Sequence, residues 1–113
     1  MTFKIQVLNN ISTAGLAALP DDLYIVSDDA FEPDAILLRS ADMHEMQIAD
    51  SVQAIARAGA GTNNIPVTAM SERGVPVFNT PGANANAVKE LVLAAMLLAA
   101  RNIPGALEYV GGL

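Results

Sequence analysis

Short apolar segments alternate with stretches of helical spacing along this chain, the pattern of βαβ units built around a parallel sheet. Phe3-Lys4-Ile5-Gln6-Val7-Leu8 alternates apolar and polar positions and predicts a first strand. Ser12 or Thr13 can cap a short helix over residues 13–19, which Pro20-Asp21-Asp22 stops. Residues 23–26 predict a second strand, and residues 27–34 an acidic loop. Ala35-Ile36-Leu37-Leu38 is apolar at every position, which predicts a third strand buried on both faces. A short helix is expected over residues 43–50 and a fourth strand at 54–56. A further helix is expected over 67–73, closed by Gly74 in the left-handed conformation. Residues 75–78 predict a fifth strand, which Pro76 makes an edge because proline lacks a ladder donor.

The last predicted helix starts near Asn84 or Asn86, both good caps, and runs to Arg101, with Pro104 as its stop. From Leu91 onward it is apolar around its whole circumference, so it must be covered by something else. Another copy or a further domain would do this, and pairing of residues 91–101 between copies in a homo-oligomer is expected. The uninterrupted apolar run, Leu91 to Ala100, is ten residues, against about 20 for a membrane span. No signal peptide precedes the first strand, so a cytoplasmic location without membrane contact is expected.

Composition narrows the chemistry. In 113 residues, 52 % are apolar and 16 % charged, so the chain is one domain's worth of globular sequence. The absence of cysteine excludes a disulfide scaffold, a thiolate zinc site and a cysteine nucleophile. The net charge of −6 argues against a nucleic-acid partner. Residues 1–50 carry −7 and residues 51–113 carry +1. An anionic ligand therefore needs a locally placed arginine, which draws attention to Arg39 and Arg57.

Three predicted loops follow strand ends, and in open α/β sheets ligands bind outside the carboxyl ends of strands. Arg39 and Ser40 offer a guanidinium fork and a hydroxyl for a carboxylate or phosphate, or else a surface arginine and a cap. Gly59-Ala60-Gly61 does not complete a dinucleotide fingerprint: Asn64 stands at the third glycine position, and Asn79 where an acidic residue is needed. Two glycines around one small residue make either a plain turn or a set of exposed amides that can hold an anion, and Arg57 beside them favours the anion. Residues 79–86, with Pro81, Gly82 and three asparagines, make a turn and cap ahead of a helix N-terminus, which also suits an anion. His44, the sole histidine, has no companion ligand, so no metal is expected. Asp28, Asp29, Glu32 and Asp34 read as a solvated loop. A phosphorylation receiver is excluded, because Asn9-Asn10, Arg39-Ser40 and Asn79 occupy the places of its acidic residues and lysine. A non-catalytic assembly module built on the apolar helix stays open.

Ala56-Arg57-Ala58-Gly59-Ala60-Gly61-Thr62-Asn63-Asn64-Ile65 and the stretch Gly74-Val75-Pro76-Val77-Phe78-Asn79-Thr80-Pro81-Gly82-Ala83-Asn84-Ala85-Asn86-Ala87-Val88-Lys89-Glu90 resemble the D-isomer-specific 2-hydroxyacid dehydrogenase family. The resemblance implies a flavodoxin-like, doubly wound five-stranded parallel sheet as the substrate-binding domain (residues 1–83). It implies an interdomain helix and truncated connection over 84–113, and NAD held mainly by a domain absent from this sequence. Arg39 and Ser40 would hold the phosphate end of a small anionic substrate, and Arg57 would approach an anionic group. The amides of Gly59, Ala60 and Gly61 would hold the carboxylate, Ala60 bordering the nicotinamide, and Asn84 would face the reacting centre. Thr62-Asn63-Asn64-Ile65-Pro66 and Lys89 depart from the family's commoner residues. The family's catalytic arginine, glutamate and histidine match nothing here, so these residues alone are expected to be inactive.

Overall fold

The computed structural model describes residues 1–113. Five strands, β1 (Phe3–Leu8), β2 (Tyr24–Ser27), β3 (Ala35–Leu38), β4 (Ala54–Arg57) and β5 (Val77–Phe78), form one sheet in the order β2-β1-β3-β4-β5. Every pairing is parallel. This is the flavodoxin-like order, whose direction of winding switches between β1 and β3. Met1–Pro81 and Gly82–Leu113 form two compact units.

Register sets the rim. Leu8 lies level with Leu38, Leu38 with Arg57, and Ala56 with Phe78. Asn9, Arg39, Ala58 and Asn79 therefore leave the sheet at nearly one height, along its carboxyl edge. The core beneath them is entirely apolar: Ile36, Leu38, Met43, Val52, Ile55, Ile65, Met70 and Val75, with no buried polar side chain. Side chains alternate between faces along a strand, and β3 is buried at Ile36 and Leu38 but half-buried at Ala35 and Leu37. It is covered fully on one face, not on both as its composition suggests.

The helix expected over residues 43–50 is absent, and β3 connects to β4 through turns. Local helix propensity loses here to long-range partners. Arg73 donates to the carbonyls of Ile48 (3.1 Å) and Ala49 (2.8 Å), and Met43 N–H donates to Asn64 O (2.8 Å). Asp42 Oδ1 accepts from His44 N–H at 2.9 Å, an Asx turn that competes with helix. Met43 thus enters the core from a loop.

Elsewhere the differences are at boundaries. Helix α1 (Thr13–Leu16) stops three residues early, and Ser12 makes no side-chain cap. The amides of both Leu23 and Tyr24 donate to Pro20 O (3.0 Å each), a turn that delays β2 by one residue. Helix α2 (Val67–Glu72) ends in a Schellman motif. Gly74 has φ +72°, its N–H reaches Ser71 O (3.0 Å), and Val75 N–H reaches Met70 O (2.9 Å). Val75 spends its amide there, which is why β5 begins only at Val77; β5 is an edge strand, as Pro76 requires.

The second unit holds α3 (Ala85–Ala100), with Asn84 at its N-cap position, and α4 (Ile103–Gly111). The two helices meet at a bend of 63°, and no single helix is long and apolar enough to cross a membrane. The bend sits at Asn102, φ +46°. Pro104 does not stop α3; it stands in the first turn of α4, where its missing N–H has no intrahelical partner to lose.

Candidate functional site

Arg57 is the last residue of β4, and its guanidinium folds back across the loop that follows. Nε donates to Arg39 O at 2.7 Å and Nη1 donates to Gly61 O. A Cβ at Gly59 would lie 3.2 Å from Nε and one at Gly61 3.0 Å from Nη1, so a side chain at either position would crowd the guanidinium. The two glycines leave the arginine room to pass beside the loop. Of the five guanidinium N–H groups, three keep no protein partner.

The carbonyls of this loop are tied down one by one. Gly59 O accepts from Thr80 N–H at 2.9 Å, Ala60 O from Asn79 Nδ2 at 2.8 Å, and Gly61 O from Arg57. In a trans peptide the carbonyl of one residue and the N–H of the next point in opposite directions. Anchoring carbonyls 59, 60 and 61 therefore turns the amides of Ala60, Gly61 and Thr62 outward, and none of the three donates to a protein atom. Ala60 and Gly61 are exposed. Gly59 N–H also has no acceptor, in a half-buried residue. Sequence reasoning places this row at 59–61; the structure extends it to Thr62.

Arg39 and Ser40 are exposed on the neighbouring loop. Arg39 O is a hub, receiving Arg57 Nε and Asn64 Nδ2 (3.0 Å). Asn64 Nδ2 also donates to Ala41 O (2.8 Å), and Asn9 Oδ1 accepts from Ala41 N–H at 2.5 Å. Asn9 takes the left-handed conformation, φ +68°, which asparagine tolerates better than most residues. Asn9, Asn64, Asn79 and Thr80 thus hold the rim together, and reasoning from local sequence misses the first two. The visible signal was an asparagine directly after a strand. The one ion pair, Arg73 with Asp50 at 3.9 Å, lies elsewhere, so neither Arg39 nor Arg57 is paired with a carboxylate.

Of the other candidates, His44 adjoins the end of this rim and Asn84 lies in the second unit. His44 donates Nε2–H to Asn63 O (2.7 Å) beside an open groove of about 740 Å³ that reaches Gly61, Thr62 and Thr68. Asn84 belongs to the second unit, where its carbonyl accepts from Val88 N–H at 3.0 Å and its side chain makes no cap bond. The stretch 79–86 divides: Asn79 and Thr80 latch the loop, while Asn86 binds Glu90 and Lys89 on α3. No dinucleotide cradle forms at residues 59–61. Arg57 lies against both glycines, and turns rather than a helix follow.

The sequence profile of the D-isomer specific 2-hydroxyacid dehydrogenase catalytic domain matches residues 6–104. The chain belongs to this family. Among family relatives, D-3-phosphoglycerate dehydrogenase of Archaeoglobus fulgidus is 42 % identical over 76 residues, covering 65 % of this chain and 14 % of that protein. Hydroxypyruvate reductase of Thermotoga maritima is 43 % identical over 75 residues, covering 64 % of this chain and 24 % of the relative. The NAD+-bound 3-phosphoglycerate dehydrogenase of Entamoeba histolytica superposes with a TM-score of 0.69 at 25 % identity, over 87 % of this chain and 39 % of that one. The chain thus spans a minor part of each 2-hydroxyacid dehydrogenase it matches.

Proposed function

We propose that this chain is the substrate-binding part of an NAD-dependent D-3-phosphoglycerate dehydrogenase, which oxidises 3-phosphoglycerate to 3-phosphohydroxypyruvate in L-serine synthesis. The observation that carries the reading is the row of outward amides at 60–62 beside two arginines without carboxylate partners. A carboxylate seated on these amides gains charge-assisted hydrogen bonds. The spare N–H groups of Arg57 and the guanidinium and hydroxyl of Arg39 and Ser40 suit a second anionic group. Residues 1–83 form the substrate domain, and residues 84–113 the helix that joins it to the rest of the enzyme, with Asn84 facing the reacting centre. Ala60 borders the nicotinamide, while the dinucleotide is held elsewhere in the complete enzyme. The work of this chain is to bind and orient the hydroxy acid. Hydride and proton transfer belong to residues it lacks, and NAD reduction by the purified chain would contradict that.

The hydroxypyruvate reductase relative favours a second reading, in which the substrate is a small unphosphorylated hydroxy acid. Calorimetry of the chain with 3-phosphoglycerate and with D-glycerate separates the two. The phosphorylated acid is expected to bind at least about tenfold tighter, the preference vanishing in Arg39→Ala, as loss of one charge-assisted contact implies. Equal affinities would favour the unphosphorylated substrate, and no binding of either would refute the site.

A further inference from the structure

Thr62 O accepts from Ile65 N–H at 3.0 Å, so residues 62–65 form a β-turn with Asn63 and Asn64 at its centre. Asn64 is not among the residues with positive φ, so the turn is type I and not type II. A type II turn keeps the same closing bond and reverses only the central peptide, here the one that joins Asn63 to Asn64. It needs positive φ at the third residue, and asparagine is the residue besides glycine that meets this need. Local sequence therefore leaves both turns open, and a contact from outside decides between them.

His44 stands at that peptide. Its Nε2 lies 2.7 Å from Asn63 O, and since a carbonyl only accepts, Nε2 carries the proton. The imidazole is held from behind. His44 N–H donates to Asp42 Oδ1 (2.9 Å), and Met43, with no exposed surface, donates its N–H to Asn64 O (2.8 Å). The trans peptide sends Asn64 N–H the opposite way from Asn63 O, and that N–H has no protein acceptor, like the amides of residues 60–63. A flip would put a carbonyl oxygen in place of this N–H, two residues after Thr62. Successive backbone N–H groups attract an anion, and an oxygen dipole among them repels it. We propose that His44 is a positioning residue of the rim, which locks turn 62–65 in the type I form and keeps an oxygen out of the row of unpaired amides. Its effect on binding rests on the substrate reading given above; the lock itself does not.

Two substitutions separate the donor from the ring. His44→Gln places an amide N–H at the same reach, and His44→Phe keeps a ring without the donor; His44 is exposed, so both should fold, which circular dichroism checks. In the ligand-free chain, a nuclear Overhauser contact from Asn63 Hα to Asn64 N–H reports the flip, because the type II turn brings those two protons together and the type I turn does not. The contact is expected to be weak in the wild-type chain and in His44→Gln, and strong in His44→Phe. Calorimetry with 3-phosphoglycerate should find His44→Phe weakened about twofold to tenfold, the span of one ordinary hydrogen bond, and His44→Gln close to the wild-type chain. A turn that stays type I in His44→Phe would overturn the proposal, as would a flip without loss of affinity. Failure of His44→Gln to restore the turn would overturn it too, because ring contacts rather than the donor would then hold the peptide. No binding of 3-phosphoglycerate to the wild-type chain would refute the substrate reading alone, and the contact at Asn64 would still decide the lock.

Discussion

Replacing Arg57 by alanine is expected to weaken binding of 3-phosphoglycerate to the rim by about tenfold to a hundredfold, the loss that one charged hydrogen-bonding partner implies. Two effects combine. The variant loses the guanidinium N–H groups that have no protein partner, and it releases Gly61 O, whose anchoring leaves the amide of Thr62 pointing away from the arginine. Arg39 O keeps Asn64 Nδ2 as a donor, so the neighbouring loop should survive. Arg57→Lys is the informative companion. It retains the charge but not the planar fork that reaches Arg39 O and Gly61 O together. Calorimetry should therefore place it near the alanine variant. Lysine binding as well as arginine would show that charge alone matters and that the loop needs no clip.

Replacing Leu38 by alanine is expected to cost about 2–5 kcal/mol of stability, the range for a fully buried leucine whose cavity does not collapse. Leu38 has no exposed surface and packs in the cluster with Ile36, Met43 and Ile55. For a unit the size of Met1–Pro81, total stability is on the order of 4–12 kcal/mol, so a large share would go. Its sequence neighbour Leu37 is only half-buried, on the other face of β3. Leu37→Ala should be distinctly milder, and urea unfolding of the two variants reads the difference. Equal costs would mean that β3 is covered on both faces after all. Because Arg39 follows Leu38 directly, the core variant should also blunt anion binding before the unit unfolds.

What the sequence made legible follows from which forces are local. The five strands and the edge position of β5 could be read from short apolar runs and from Pro76. The close of α2 could be read from Gly74, because a left-handed cap is a property of one residue. The cation beside Gly59 and Gly61 was visible as well. That its guanidinium lies against both glycines was not, because the side chain doubles back to Arg39, 18 residues earlier. Residues 43–50 show the same limit: their helix-forming side chains were plain to read, but Arg73, 25 residues beyond Ile48, takes the carbonyl. Asn9 and Asn64 work across 32 and 23 residues, and a pattern that looks only at near neighbours can mark such a residue but not its partner. The family resemblance was legible for a different reason. The stretches at 56–65 and 74–90 carry the loop and its latch together, so the motif records the contact that local chemistry hides.

The most direct test of the amide row is a titration followed at each backbone N–H by heteronuclear NMR, with D-glycerate added to the chain. The amides of Ala60, Gly61 and Thr62 should move together and saturate at one concentration, while those of Met70 in α2 and Leu93 in α3 hold their positions. A saturating response centred elsewhere, or none at residues 60–62, would contradict a carboxylate seat at this rim.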